Sequence, residues 1–384
     1  MSVAVEEKVS AWDKFKQLVN DRHDYARQWK QRTGGKVLGY LCTYTAEELV
    51  YAAGILPVRI MGSREPQDVT EPYIYGMYCP YCRDCLAQGL LGRYNYLDGI
   101  TDTHTCSHIR QTYDSWQRFV PVEFSHYVYM PSEVKSPKAR DMFLVEMQQF
   151  KKALEDWTGK PITNAKLDRA IKVYNTNRKL LHQIYELRKQ NPPPISGEEV
   201  VYMVLASFWM DKAEHNKLLR QALAEAKKRP VSHNSKTRLM TIGSENDDPE
   251  LIKLIESYNA SVVIDEQCTG TRYFWNEVIP QEDRMMAIVQ RYLDRPPCPM
   301  KDLQEVRVRP AFIMDLAREY KIKGAVLIRL KFCDPHEYDL PIIRRSLEEA
   351  GIPTLTLERD IITPVGQFKT RIGAFMEMLE MEAT

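Results

Sequence analysis

The sequence predicts an α/β protein with two Rossmann-like, open parallel-sheet domains and a helical domain between them. Short apolar runs alternate with amphipathic segments over residues 1–134 and again over residues 236–384, as expected for strands followed by helices. Residues 135–235 have few strand-like runs and are crowded with Lys, Arg, Glu and Gln on helix-like outer faces. A chain of 384 residues is long enough for two or three domains.

The first domain begins with a charged amphipathic segment over residues 8–32, which we predict to be a helix. Its apolar positions recur at helical spacing and form one stripe: Trp12, Phe15, Leu18, Val19, Tyr25 and Trp29. We interpret this helix as a docking or capping element rather than as a source of catalytic groups.

Residues 36–61 carry the pattern strand, helix, strand that is typical of a parallel βαβ unit. The apolar runs 36–42 and 55–61 are the predicted strands, and residues 43–53 form the predicted helix. Thr45 and Glu48 have the spacing of a capping box, which predicts that they cap the start of this helix.

The same alternation completes the first domain, and longer amphipathic segments follow it. In the first domain we predict a helix over 80–91, a strand over 97–101, a helix over 108–116 and a strand over 124–130. In the helical domain we predict helices over 138–157 and 163–189, a proline-rich linker over 190–197, and helices over 197–227 with a break.

The last domain repeats the strand and helix alternation of the first, although no tandem repeat is visible in the sequence. The predicted strands are 238–244, 261–265, 324–330 and 354–358. The predicted helices are 249–258, 282–293, 310–320, 339–350 and 364–381.

Composition excludes several classes of protein. Lys and Arg (53) nearly balance Asp and Glu (52), so no global field favours nucleic acid or an anionic membrane. No apolar stretch approaches the ~18 residues of a membrane span, and the N-terminal stretch lacks the apolar core of a secretory signal. We therefore expect a cytoplasmic protein, in which the eight cysteines stay reduced and clustered thiols indicate metal or redox chemistry.

Two cysteines fall where an open α/β sheet places functional groups, at the carboxyl end of a strand before the next helix. Cys42 follows the predicted strand 36–42, and Cys333 follows the strand 324–330, with Asp334 or a near neighbour as the expected helix cap. The N–H groups at a helix start favour a thiolate, so both cysteines are candidate metal ligands.

A third group is the C-x-x-C-x-x-C run Cys79, Cys82 and Cys85, which resembles the start of a ferredoxin-type motif. Pro80 favours an immediate helix, on which Cys79 and Cys85 would lie about 240° apart. We therefore predict one ligand, Cys79, with Cys82 and Cys85 packing inward. Zinc is disfavoured because a closed site needs four ligands, usually as two tight pairs, and only one tight group is present.

The remaining cysteines are less informative. Cys106, between His104 and His108, is expected near the same crevice without being a ligand. Cys268 and Cys298 each stand alone in loop-like segments, and we interpret them as small buried hydrophobes. The sequence has neither a G-x-G-x-x-G after a strand nor a G-x-x-x-x-G-K-[ST], so we expect no nucleotide cradle in this chain.

Four long stretches resemble the 2-hydroxyglutaryl-CoA dehydratase / benzoyl-CoA reductase family: GYLCTYTAEELVYAAGILPVRI, YCPYCRDCLAQGLL, LDGITDTHTCSHIRQTYDSW and IRLKFCDPHEYDLPIIRRSLEEAGIPTLTLERD. The resemblance runs over nearly the whole chain. It implies two Rossmann-like domains with a helical domain, and a 4Fe–4S cluster on three cysteines with one open iron. The matching positions are Cys42, Cys79 and Cys333. Cys82 and Cys85 are not part of the family pattern, so Cys82 replacing or assisting Cys79 stays open.

The stretches most resemble the smaller cluster-bearing subunit of ATP-dependent benzoyl-CoA reductases, enzymes of anaerobic aromatic degradation. That resemblance implies ferredoxin-driven dearomatisation of benzoyl-CoA to a cyclohexadiene-carbonyl-CoA by low-potential electron transfer. It also implies a paralogous cluster-bearing subunit, and separate ATPase subunits that bind ATP and carry a bridging 4Fe–4S cluster. Reduced ferredoxin and the acyl-CoA are the remaining partners.

Two alternatives stay open. The first is a subunit of a 2-hydroxyacyl-CoA dehydratase, which recycles the electron and eliminates water. The second is a scaffold whose cluster only maintains the fold. Catalytic residues are not identified: His104, His108, His126 and His336 are candidate proton donors only because imidazole titrates near neutrality.

Overall fold

The structure is a computed structural model that describes residues 9–229 and 237–382. It contains two four-stranded parallel sheets flanked by helices, which confirms the predicted α/β class. The predicted domain boundary between residues 235 and 236 lies outside the described residues, as do residues 1–8 of the stretch considered for a secretory signal. The division into three domains stays a prediction.

The N-terminal segment forms two helices, α1 (Ala11–Asn20) and α2 (Arg22–Thr33). The prediction of one helix is wrong because Asp21 has a non-helical backbone and ends α1, while Ser10 caps its start by accepting from the Asp13 N–H. Most of the predicted stripe is buried: Trp12, Phe15, Val19 and Trp29. Leu18 and Tyr25 are half-buried.

The first sheet contains β1 (Val37–Tyr40), β2 (Leu56–Arg59), β3 (Gly99–Thr103) and β4 (Phe124–Val128), in the order β2-β1-β3-β4. All of its strand pairs are parallel. The crossover helices are α3 (Glu47–Ala52), α4 (Pro80–Leu90) and α5 (Ser107–Phe119). Parallel strands need such crossovers, so the alternation read from the sequence corresponds to real βαβ units.

The capping box predicted for α3 is wrong. The Thr45 hydroxyl has no hydrogen-bond partner among the described residues, and the side chain of Glu48 does not return to the helix start. Glu48 is instead fully buried, forms an ion pair with Arg178 and accepts from the Tyr292 hydroxyl at 2.9 Å. Tertiary partners therefore determine the position of Glu48.

The segment between the sheets contains α6 (Ala139–Thr158), α7 (Asn164–Leu187), α8 (Gly197–Ala206) and α9 (Lys212–Ala226), which confirms the predicted helices and the break in the last. Ser196 and Glu199 form a capping box at the start of α8. Helix α1 packs against α8 and α9, and α3 packs against α7. The helical segment is thus joined to the first sheet through both of these helices.

The second sheet contains β5 (Thr237–Gly243), β6 (Ala260–Glu266), β7 (Gly324–Leu330) and β8 (Thr354–Arg359), in the order β6-β5-β7-β8. This is the strand order of the first sheet. The helices are α10 (Pro249–Glu256), α11 (Thr271–Phe274), α12 (Arg284–Asp294), α13 (Arg309–Glu319), α14 (Asp334–Glu349) and α15 (Val365–Glu382). Helix α14 begins five residues before its predicted start, and α11 was not predicted.

One continuous apolar core joins the first sheet, the helical segment and one face of the second sheet. A separate cluster covers the other face of the second sheet, with neighbouring β5 residues Leu239 and Met240 on opposite sides. In residues 9–229 and 237–382, no helix combines the length and apolarity needed to cross a membrane.

Candidate functional site

A pocket lies where the carboxyl ends of the two sheets face each other. Of the eight cysteines in the sequence, all except Cys85 line this pocket. They are Cys42, Cys79, Cys82, Cys106, Cys268, Cys298 and Cys333. The three cysteines that the sequence analysis selected as ligands are thus in the wall of one cavity, although they are far apart in the sequence.

The strand order explains this convergence. In each sheet the two central strands, β1 with β3 and β5 with β7, connect to strands on opposite edges. The two connections diverge, which opens a crevice at the carboxyl ends of the central strands. Cys42 lies just beyond β1, Cys106 just beyond β3 and Cys333 just beyond β7. The two crevices face the same pocket.

Three of the cysteines occupy helix N-cap positions: Cys79 before α4, Cys106 before α5 and Cys333 before α14. None of the three makes a side-chain cap bond with a described residue. Their thiols therefore lie at the positive ends of three helices, which favour an anionic sulfur. Interactions between thiols and burial outweigh this effect and raise the pKa of all three thiols. The cap expected at Asp334 or a near neighbour lies at the neighbour Cys333, since Asp334 is the first helical residue.

Cys42 has a different environment, and the helix-start argument made for it is wrong. Helix α3 begins only at Glu47, and the Cys42 N–H donates to the Oδ1 atom of Asp102 at 2.8 Å. Burial, with a contribution from Asp102, raises the pKa of the Cys42 thiol to about 12. The Asp102 Oδ2 atom is buried without a hydrogen-bond partner among the described residues, and burial raises the pKa of this carboxyl to about 7.

The Cys79 thiol lies near two other thiols, those of Cys333 and Cys82, which both affect its pKa. Hydrogen bonding with Cys79 and burial raise the pKa of Cys333 well above its ordinary value. Cys85 packs inward as predicted, with its sulfur 3.5 Å from the carbonyl oxygen of Ile60. Cys82 is buried too, but it lies in the pocket wall beside Cys79, so a role for it at the site stays open.

The sequence analysis interpreted Cys268 and Cys298 as small buried hydrophobes, and the structure differs from this interpretation. Both are partly exposed and line the pocket. The Cys268 sulfur accepts a hydrogen bond from Arg272 Nη2 at 3.0 Å, and the Cys298 N–H donates to the Tyr44 hydroxyl at 3.3 Å. Cys268 also lies just beyond the end of β6, the same kind of position that singled out Cys42.

Buried cations surround the side of the pocket near Cys42. Arg59, from β2, forms a buried ion pair with Glu245, which follows β5, so this pair connects the two sheets. Arg295 donates to the carbonyl oxygen of Thr43 at 2.6 Å. Lys301 donates to the carbonyl oxygen of Pro131 at 2.9 Å, and burial lowers its pKa.

Of the four histidines considered as proton donors, only His108 and His336 line the pocket. His108 Nδ1 accepts from the Cys79 N–H at 3.1 Å, so the neutral ring carries its proton on Nε2, which lies 3.5 Å from Asp334 Oδ2. The His336 Nδ1 atom is buried without a hydrogen-bond partner among the described residues. His104 bonds to the Tyr127 hydroxyl at 2.7 Å, and His126 lies on β4 and packs on Phe150.

The donor set fits an iron–sulfur cluster better than a single metal ion. Among the residues that the structure describes, no three His, Cys, Asp or Glu side chains converge on one ion. In a cluster each cysteine binds a different iron, so its thiolates stand apart around an inorganic core. Soft sulfur donors in a mostly apolar cavity match that requirement.

Comparison with known proteins finds relatives among subunits of acyl-CoA enzymes. The sequence profile of the family described as "2-hydroxyglutaryl-CoA dehydratase, D-component" matches residues 42–379. The beta subunit of (R)-phenyllactyl-CoA dehydratase from Clostridium sporogenes is 29% identical over 95% of this chain and 97% of its own length. A benzoyl-CoA reductase subunit from Thauera aromatica is 27% identical over 87% of this chain and 88% of its own length. The beta subunit of (R)-2-hydroxyglutaryl-CoA dehydratase from Acidaminococcus fermentans is 25% identical over 90% and 93%.

Proposed function

Because this chain belongs to the 2-hydroxyglutaryl-CoA dehydratase D-component family, we propose that it is the cluster-bearing subunit of an enzyme that acts on an acyl-CoA thioester. In this proposal Cys42, Cys79 and Cys333 hold a 4Fe–4S cluster with one iron open to a further ligand. The observation that supports it is the convergence of these three thiols, one from each of three distant segments, on one pocket.

The relatives divide between two reactions. Most of those with a stated substrate are dehydratase subunits, and the phenyllactyl-CoA dehydratase subunit aligns over almost the full length of both chains. We therefore propose elimination of water from a 2-hydroxyacyl-CoA as the first reaction to test. Benzoyl-CoA reduction is the second, and the match over most of the Thauera aromatica reductase subunit supports it.

The residues of this chain have separate tasks in either reaction. When bound, the cluster supplies low-potential electrons to the thioester substrate. The buried cysteines would hold the cluster, and the apolar pocket wall would exclude water from it. His108 is positioned by its bond to the Cys79 N–H, and its Nε2 atom, 3.5 Å from Asp334 Oδ2, is the atom of this ring that could donate a proton to a substrate.

The proposal includes partner subunits. The relatives are themselves subunits of larger enzymes, as their names state, and the sequence contains no phosphate-binding loop. We therefore assign ATP hydrolysis to separate ATPase subunits with a bridging 4Fe–4S cluster, and electron supply to reduced ferredoxin. A paralogous cluster-bearing subunit completes the active unit.

Anaerobic purification of the intact complex, followed by turnover assays, separates the reactions. A dehydratase converts a 2-hydroxyacyl-CoA to an enoyl-CoA with far fewer ATP molecules and electrons than product molecules. A reductase consumes ATP and electrons in proportion to dearomatised product. An EPR signal of the reduced complex that is unchanged by any acyl-CoA would contradict a catalytic role and favour a scaffold.

A further inference from the structure

A second cavity lies at the other end of the first sheet from the cysteine-lined pocket. It opens beside the amino end of β2, where Ala53, Gly54 and Ile55 lead from α3 into the strand. The cysteine-lined pocket lies at the carboxyl ends of the parallel strands, and the two cavities share no lining residue. The volume of the second cavity is about 400 Å³, within the range of about 300–1,000 Å³ that is usual for small-molecule sites.

Three cationic side chains line this cavity. Lys160 lies in the loop between α6 and α7, and Lys166 and Arg169 lie in the first two turns of α7. Among the side chains that the structure describes, Lys160 and Arg169 have no ion-pair partner, and Lys166 donates only to the carbonyl oxygen of Pro161, at 2.7 Å. The start of α7 adds its own partial positive charge. The cavity therefore concentrates positive charge.

The cavity lining contains one carboxylate, that of Asp211, and this group already has partners. Its Oδ1 atom accepts from the N–H groups of Ala213 and Glu214 at 2.9 and 3.2 Å, so it caps the start of α9. Three cations thus face one carboxylate that is engaged elsewhere. An anion bound between the cations would relieve their mutual repulsion.

Aromatic side chains form another part of the wall, from Trp29 on α2 and Tyr51 on α3. The Tyr51 ring is half-buried and packs edge-on against Tyr174, with the ring centroids 5.8 Å apart, so its orientation is fixed. Flat aromatic rings stack on nucleobases, and guanidinium and ammonium groups bind phosphate oxygens. The combination of an aromatic wall and three cations suits a ligand that has both a base and phosphates.

We propose that this cavity binds a phosphorylated nucleotide, with its phosphates on Lys160, Lys166 and Arg169 and its base against Tyr51. A free nucleoside diphosphate and the adenosine diphosphate part of coenzyme A share this chemistry. The inference goes beyond the proposed function, because the cavity is remote from the strand ends that carry the cysteines. It also does not depend on any metal, so the two proposals can fail separately.

Isothermal titration calorimetry of the full chain with ADP tests the proposal. We expect one binding site, which Arg169→Gln and Lys160→Gln each weaken about tenfold, since each removes a charged hydrogen-bond donor to phosphate. Both side chains are exposed and have no described partner, so the variants should fold. Lys172→Gln is the matched control: it removes the same charge from an exposed position of α7 outside the cavity, and should leave the affinity unchanged.

Titration with pyrophosphate tests the aromatic wall. Tyr51→Leu should weaken ADP about tenfold, because it removes the stacking surface, and should leave pyrophosphate binding unchanged. Titration with coenzyme A identifies the source of the nucleotide. Tighter binding of coenzyme A than of ADP, lost in Arg169→Gln, supports the coenzyme as the ligand, and weaker binding supports a free nucleotide.

Three results would overturn the proposal. They are no binding of ADP or coenzyme A at millimolar concentrations, an equal loss of affinity in Lys172→Gln and Arg169→Gln, and equal affinity of the wild-type chain for pyrophosphate and ADP. The second result would show diffuse surface charge, and the third a site for the inorganic ion alone. Circular dichroism identifies any variant that fails to fold, and the wild-type comparison of ADP with pyrophosphate then decides.

Discussion

The two sheets have the same strand order, but equivalent strand ends carry different chemistry. The third strand of each sheet, β3 or β7, is followed by a cysteine at the N-cap of the next helix, Cys106 or Cys333. The first strands differ: β1 is followed by Cys42, whereas β5 is followed by Ser244 and Glu245. The fold determines which positions reach the pocket, and the residue at each position decides what that position does there.

The difference gives the two sheets separate roles at the pocket. Cys42 provides a thiol from the first sheet. Glu245, at the equivalent position of the second, forms a buried ion pair with Arg59 of the first sheet. The residue after β5 therefore fixes the position of the two sheets relative to each other through this ion pair. The thiols of the second sheet follow β6 and β7 instead. Mutations at the equivalent positions should therefore affect different properties.

The largest expected effect is on iron content. Cys42→Ala and Cys333→Ala should each lose most of the bound iron of the anaerobically purified protein, because a four-iron cluster loses one of its few protein ligands. Iron and sulfide analysis measures this, and Cys85→Ala is the matched control. Full iron content in both ligand variants would remove the basis for the proposed site.

Most of the secondary structure could be predicted because each pattern has a local physical cause. The run 324–330, apolar except for Arg329, is a strand buried at all its other positions, and β7 has these bounds. The start of α14 was missed because Pro335, in its first turn, and Pro341, inside it, obscure the helical pattern. Cys42, Cys79 and Cys333 were selected by position and resemblance, and the structure brings them to one pocket.

The remaining parts of the site depend on tertiary contacts. Cys298 follows α12 in a loop whose path is set by packing, and it comes within 3.3 Å of the Tyr44 hydroxyl only in the folded chain. Cys268 had a local indication, because it follows β6 closely, but an isolated cysteine in a loop is usually a packing residue. The Arg59 and Glu245 pair is separated by 186 residues, and no local pattern indicates it.

The second prediction concerns that ion pair. Arg59→Met should lower the free energy of unfolding by about 3–5 kcal/mol, because it leaves the Glu245 carboxylate buried without its partner. Chemical denaturation of the metal-free protein measures the change. The double variant Arg59→Met, Glu245→Leu should regain much of the loss, since no unpaired charge remains. An equally unstable double variant would show that lost packing, rather than charge, causes the effect.

The third prediction tests the helical segment, which belongs to neither sheet. His215 on α9 is fully buried and accepts from Asn177, and burial lowers its pKa from 6.5 to about 3. The unfolded chain therefore binds this proton more readily, so stability should fall as the pH drops below 6.5 toward 3. Between pH 6.5 and pH 4 the loss from this group is about 3 kcal/mol.

The variant His215→Gln tests this contribution. Glutamine offers an acceptor for Asn177 and a donor for the carbonyl oxygen of Met203, and it does not titrate. The difference in unfolding free energy between wild type and variant should therefore change with pH in this range. A difference that stays constant would show that His215 is not the titrating group.

The smallest expected effect is at an exposed ion pair between β7 and β8, whose two side chains do not line the pocket. Arg329 on β7 and Glu358 on β8 are directly opposed in the strand register and form an ion pair, but both side chains are more than a third exposed. Exposed pairs of this kind contribute about 0–1 kcal/mol, since water already solvates each charge. Arg329→Met should thus change the unfolding free energy by less than about 1 kcal/mol and leave the iron content unchanged. If this variant also lost iron, the pocket would be sensitive to the whole second sheet, and the separate tasks assigned to equivalent strand ends would lose their support.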